Sequence, residues 1–116
     1  MIKQNELVPK RRFTGFFEEW RKKTLDEVLD LLKDGTHGTH QNVKDGVYLL
    51  SAKNIKNGKV NFDKSDRQIS MDEYRRIHRS FELKKGDILL TVVGSIGESA
   101  ILKNKEKLTF QRSVAY

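Results

Sequence analysis

Three features of the sequence predict an α+β fold, a mostly antiparallel sheet carrying two short helices. Short apolar runs such as Val47–Leu50 and Ile88–Val93 have the length and β-branched content of strands. Turn signals rich in glycine and asparagine separate them, led by Asn57-Gly58. Two Ser/Thr-x-x-Glu patterns, Thr24 to Glu27 and Ser70 to Glu73, mark helix starts.

Residues 1–23 hold the only proline, Pro9, and read as an irregular arm. A helix follows from the N-cap Thr24. Leu25, Val28, Leu29 and Leu32 recur at i, i+3, i+4 and i+7 on one face, and Gly35 stands where a C-cap glycine would end it. Residues 36–42 form a polar loop and Val47–Leu50 a strand. Asn57-Gly58 turns Asn54-Ile55 back into Val60-Asn61-Phe62. Ser70 and Glu73 open a second helix with Met71, Tyr74 and Ile77 on one side. Residues 84–87 turn into the longest apolar strand, Ile88–Val93. Gly94-Ser95-Ile96-Gly97 reverses the chain into Ser99–Leu102, and residues 103–107 reverse it again into a final strand, Phe110–Tyr116. That strand stops in mid-pattern, so the fold is expected to continue beyond Tyr116. Tyr48, Leu50, Ile88, Leu90 and Ile101 are assigned to the core.

Composition narrows the function classes. No apolar stretch approaches the roughly 20 residues of a membrane span, and residues 1–6 lack the apolar stretch of a signal peptide. The absence of cysteine removes disulfides and thiolate metal sites and fits a reducing cytoplasm. Twenty-three Lys and Arg against sixteen Asp and Glu give a net charge of +7, which favours a polyanionic partner. Lys10-Arg11-Arg12 and Arg21-Lys22-Lys23 flank Phe13, Phe16, Phe17 and Trp20. Such aromatics either stack on bases or anchor the arm to a core, and anchoring is the commoner use.

Catalytic constellations are thin. His37, His40 and His78 supply too few ligands of suitable type for zinc. Gly94–Gly97 lacks the spacing of a phosphate loop and reads as a tight turn needing positive φ, one that could still set Ser95 against a DNA backbone. Glu82 and Lys84, with Asp63 or Asp66, resemble the set of a magnesium-dependent nuclease, but the two aspartates fall in a polar loop. The strongest nucleic-acid candidate is residues 51–59, with Lys53, Asn54, Lys56 and Lys59 on or near a hairpin. Lysine pairs with phosphate or guanine, and asparagine can pair with adenine.

Several segments, in order, resemble the target-recognition domain of the specificity subunit of type I restriction–modification systems. They are Leu7-Val8-Pro9-Lys10-Arg11-Arg12-Phe13-Thr14-Gly15-Phe16 through Trp20, Leu25–Val28, Asp34–Thr39, Tyr48–Ile55, Gly86–Thr91 and Gly94–Gly97. Family members often carry proline where this chain has Thr14. The resemblance implies a non-catalytic cytoplasmic DNA-recognition protein, an arm over 1–23 and a partial target-recognition domain over 24–116. It would read one half of a bipartite target in double-stranded DNA. Partner modification subunits would methylate adenine, a restriction subunit would cleave, and a second specificity chain could join. S-adenosylmethionine, magnesium and ATP would belong to those partners, leaving no cofactor in this chain. Thr36, His37, Lys53, Asn54, Lys56, Ser95 and Arg112 are the expected DNA-binding residues, with Lys53 and Lys56 on phosphates and Asn54 on a base. The alternatives are the small nuclease, and a scaffold fragment that binds only the modification subunit through Phe13, Phe16 and Trp20.

Overall fold

The computed structural model describes residues 7–103 and 106–116. The first six residues of the expected arm, and Asn104 and Lys105 of the expected turn over 103–107, lie outside the described residues. The chain divides into two compact units, Met1–Asp30 and Leu31–Tyr116, so the first helix groups with the arm.

In the first unit, Trp20 N donates to Leu7 O at 2.7 Å and closes a loop. Arg12 braces it from inside, donating to Glu18 O at 2.6 Å. The aromatics do not bury against one another within this unit: Phe13 is 85% and Phe17 83% exposed. Helix α1 covers Leu25–Val28, and its capping box is complete: Thr24 N donates to Glu27 Oε2 at 2.6 Å and Glu27 N to Thr24 Oγ1 at 3.3 Å. The helix does not run on to Gly35. Leu25 and Val28 are exposed, so no apolar face is buried, and one turn without packing does not propagate.

The second unit is built from eight short strands, one α-helix and one 3-10 turn (Ala52–Asn54) among its described residues: β1 (Val47–Leu50), β2 (Ile55–Lys56), β3 (Lys59–Val60), β4 (Gln68–Ile69), α2 (Met71–Ile77), β5 (Ile88–Thr91), β6 (Ser99–Ile101), β7 (Leu108–Phe110) and β8 (Val114–Ala115). They form sheets in the orders β4-β1-β7, β2-β3 and β6-β5-β8. Every pairing is antiparallel except β1 with β7, which run parallel with Leu50 opposite Phe110. With two short helices, this is the expected α+β class.

Strand β1 is covered on both faces. Leu50 joins Ile55, Leu89, Leu108, Phe110 and Val114 in one core cluster, while Val47 and Leu49 pack with Ile69 and Tyr74 on α2 in another. Two apolar faces are what a central strand requires. The β2–β3 hairpin turns at Asn57 (φ 54°) and Gly58 (φ 73°), the paired positive dihedrals of a type I′ turn. Helix α2 is capped by Ser70, whose hydroxyl accepts Glu73 N at 3.1 Å, but the Glu73 carboxylate is engaged by His40 and Arg76 rather than completing a box.

Three expectations fail for physical reasons. In β5 the inward residues are Leu89 and Thr91, both fully buried, while Ile88 and Leu90 face outward with Ile101, which sits opposite Ile88. A strand shows alternate residues to opposite faces, and a run apolar at every position does not say which set points in. The final strand is two: β7 pairs in the sheet of β1, β8 in the sheet of β5, and a turn at Arg112-Ser113 lies between them. Gly35 is not a helix cap. It lies in an extended stretch, with Asp34 bridged to Ala115 and Thr36 to Gln111. A Cβ on Gly35 would sit 2.1 Å from Gln111 O, so close backbone approach demands the glycine.

Among the described residues no helix is long and apolar enough to cross a membrane.

Candidate nucleic-acid interface

The Arg112-Ser113 turn gathers three other segments of the second unit. Arg112 N donates to Thr36 O at 3.1 Å, tying in the loop that carries Thr36 and His37. Ser113 Oγ accepts Ala52 N at 3.0 Å, which fixes the turn that carries Lys53. Ser113 O accepts Val92 N at 2.9 Å and holds the base of the Gly94–Gly97 turn, which carries Ser95. Five of the seven expected contact residues, Thr36, His37, Lys53, Ser95 and Arg112, therefore belong to segments meeting at one turn. His37, Lys53, Ser95 and Arg112 are exposed and Thr36 is half-buried. Loops displayed from strand ends are the usual way a sheet presents recognition residues.

Lys56 stands apart, exposed on β2 opposite Lys59. Its neighbour Asn54 is misplaced by the sequence reading. The side chain is buried, 4% exposed. Its Oδ1 accepts Ser51 N at 3.0 Å, and its Nδ2 donates to Asn61 O at 2.9 Å and Asp66 Oδ1 at 3.0 Å. A carboxamide spent on three internal bonds is not available to a base edge. The Asn54 amide, foremost, holds the Asp66 carboxyl below its ordinary range, with the Asp63 backbone next and Lys53 a lesser contributor. Lys53 Nζ lies 3.5 Å from Asp66 Oδ1 while its side chain stays 73% exposed, so the ammonium is oriented but remains open to a phosphate.

The Thr36 loop is fixed from behind. Thr36 Oγ1 lies 3.2 Å from His40 Nε2, His40 Nδ1 lies 2.7 Å from Glu73 Oε1, and Arg76 pairs with the same oxygen. His40 is 7% exposed, so the imidazole is a structural post between α2 and the loop. Arg67 adds a bond to the His40 carbonyl at 2.6 Å. His78 lies elsewhere, against Thr109 Oγ1 at 2.9 Å, stacked on Tyr74. Among the described residues no group of three or more His, Cys, Asp or Glu could hold a metal ion. Asp63 and Asp66, the acids of the nuclease alternative, accept bonds within their own loop from Ser65 and from Asp63 N.

Sequence reasoning missed Ser113 and the His40–Glu73 pair. Gln111-Arg112-Ser113 is a polar triplet inside an apolar run, which is the signal for a turn there. Contacts across 33 residues, as between His40 and Glu73, leave no local trace.

The second unit is thus a small, sheet-rich module with polar and basic loops gathered at one turn. In sequence, the chain is 30% identical over 101 residues, 84% of its length, to the specificity subunit of the type I restriction enzyme EcoBI from Escherichia coli. The match spans 21% of that protein's length. The chain is therefore related in sequence to a type I specificity subunit. No family model matches it.

Proposed function

We propose that this chain is a DNA-recognition part of a cytoplasmic type I restriction–modification specificity subunit. It reads one half of a bipartite target and directs adenine methylation or restriction by partner subunits. The relationship to a specificity subunit across most of the chain carries the reading. The meeting of Thr36, His37, Lys53, Ser95 and Arg112 segments at the Arg112-Ser113 turn supports it, as does the net charge of +7. In this reading Lys53, Lys56 and Arg112 neutralise phosphates, and Thr36, His37 and Ser95 adjust the fit along the duplex. The chain performs no chemistry, and S-adenosylmethionine, magnesium and ATP serve the partner subunits.

Anisotropy titration of a labelled random-sequence duplex at increasing salt tests the reading. Log affinity should fall linearly with log salt, and Lys53→Ala and Arg112→Ala should each reduce the slope by about one. Absence of binding, or binding indifferent to salt, overturns it.

The exposed aromatics of the first unit favour a second, compatible role, docking on a modification subunit through Phe13, Phe16 and Trp20. Co-purification with that subunit, lost in a Phe13→Ser/Phe16→Ser variant, is the check.

A further inference from the structure

Ile96 is the most exposed large apolar side chain described in the Leu31–Tyr116 unit, at 76%. It is not on a slack loop. Thr91, fully buried, accepts Glu98 N on its hydroxyl at 2.9 Å and donates that hydroxyl to Ser95 O. Gly97 N returns to Thr91 O at 3.0 Å, and Gly94 and Gly97 take the positive φ values, 82° and 92°, that close the turn. The Val92 N to Ser113 O bond fastens the base of this turn beside Arg112. The fold thus holds an aliphatic group in water on a hydrogen-bonded turn, whose base is tied to the segment that carries Arg112.

Among the groups that base pairs display in the major groove, all are hydrogen-bond donors or acceptors except one, the C5-methyl of thymine. We propose that Ile96 contacts the methyl group of a thymine when the Arg112-Ser113 loops lie on duplex DNA, so that it sets specificity at one position. This rests on the DNA-recognition reading above. Ser95 on the same turn and Arg112 on the segment tied to its base would hold the register through the DNA backbone, leaving the methyl contact to discriminate.

The test is a coupling measurement on the whole chain. A duplex is enriched from a random-sequence pool, and each of its thymines is replaced in turn by uracil, which pairs identically but lacks the methyl. One replacement should weaken binding of the unaltered chain by about four-fold, the effect of exposing one buried methyl group. Ile96→Ala should bind the thymine duplex weaker by a similar factor, be indifferent to that replacement, and keep the same salt slope. Ile96→Val should retain the discrimination. Ile96 is exposed, so melting curves of both variants should match that of the unaltered chain and exclude unfolding as the cause. If no thymine replacement matters, or if it costs Ile96→Ala as much as the unaltered chain, the methyl contact is overturned while salt-dependent binding leaves DNA recognition standing. If the chain enriches no duplex and binds none, both readings fall together.

Discussion

His40 and Glu73 meet across 33 residues, with Nδ1 2.7 Å from Oε1, and so join the loop that carries Thr36 to helix α2. Glu73 is the shared acceptor. Arg76 first, and His40 second, hold its carboxyl below the ordinary value of 4.5. A carboxyl depressed on folding stabilises the protein above its unfolded pKa, and the contribution is lost as pH falls through the lower folded value. Glu73→Gln should therefore lower the melting temperature near neutrality and flatten the acid limb below about pH 4.5, read by circular dichroism. An acid limb that superimposes on that of the unaltered protein would refute the coupling.

Asn54 is a structural residue. Asn54→Ala removes an acceptor from Ser51 N and a donor from Asp66, both inside the fold, and should cost about 2–4 kcal/mol in urea denaturation. Duplex affinity per folded molecule should be unchanged. Selective loss of affinity without loss of stability would return Asn54 to the interface.

Gly35 and Gly38 provide a matched pair. At Gly35 a Cβ meets the Gln111 and Phe110 carbonyl oxygens at 2.1 and 2.4 Å, whereas at Gly38 (φ 93°) nothing lies within 4 Å. Gly35→Ala should pry the extended stretch off the chain at residues 110–111 and cost about 3 kcal/mol or more. Gly38→Ala carries only backbone strain, about 1–2 kcal/mol. Equal costs in thermal denaturation would contradict the close approach.

His78 gives a second pH dependence, distinct from that of Glu73. Burial, the largest influence, pushes its imidazole below the ordinary 6.5, against a contact with the Phe81 backbone that favours the charged form. Lys33 pushes the same way as burial, and Glu82 opposes it. The unfolded chain therefore binds this proton more readily than the folded one. Stability should decline as pH falls from about 6.5, before the carboxylates titrate. His78→Phe keeps a ring between Tyr74 and Phe81 and, though it gives up the Thr109 bond, should remove that decline, measured by melting at closely spaced pH values.

The sequence was most legible where the determinant is local. The Asn57-Gly58 turn and the Thr24–Glu27 capping box need only a few adjacent residues and form as read, while Ser70 caps its helix without the reciprocal bond from Glu73. Strand β1 was clear because it is apolar on both sides. Strand β5 was read with the wrong face inward because Ile88, Leu89 and Leu90 offer no polar marker, and because the inward position after Leu89 is a threonine, buried for its hydroxyl bonds to the 95–98 turn. Gly35 and Asn54 failed for a different reason. Each residue type has a common surface role, and only a partner far along the chain, Gln111 for one and Asp66 for the other, assigns the interior role. Of the candidate site, the loop positions were visible in the sequence, but the Ser113 bonds that gather them were not.

The parallel pairing of Leu50 with Phe110 also bears on how the chain reaches its fold. The hairpin at Asn57-Gly58 closes locally and should form on the microsecond scale, long before β7 can find β1 across about sixty intervening residues. During that interval β1 has one open edge, and Leu50 lacks its Phe110 cover. The barrier to folding should therefore be dominated by loop closure, and Phe110→Leu should alter refolding kinetics more than any change in the hairpin. The chain is then most prone to associate with itself while it is still folding.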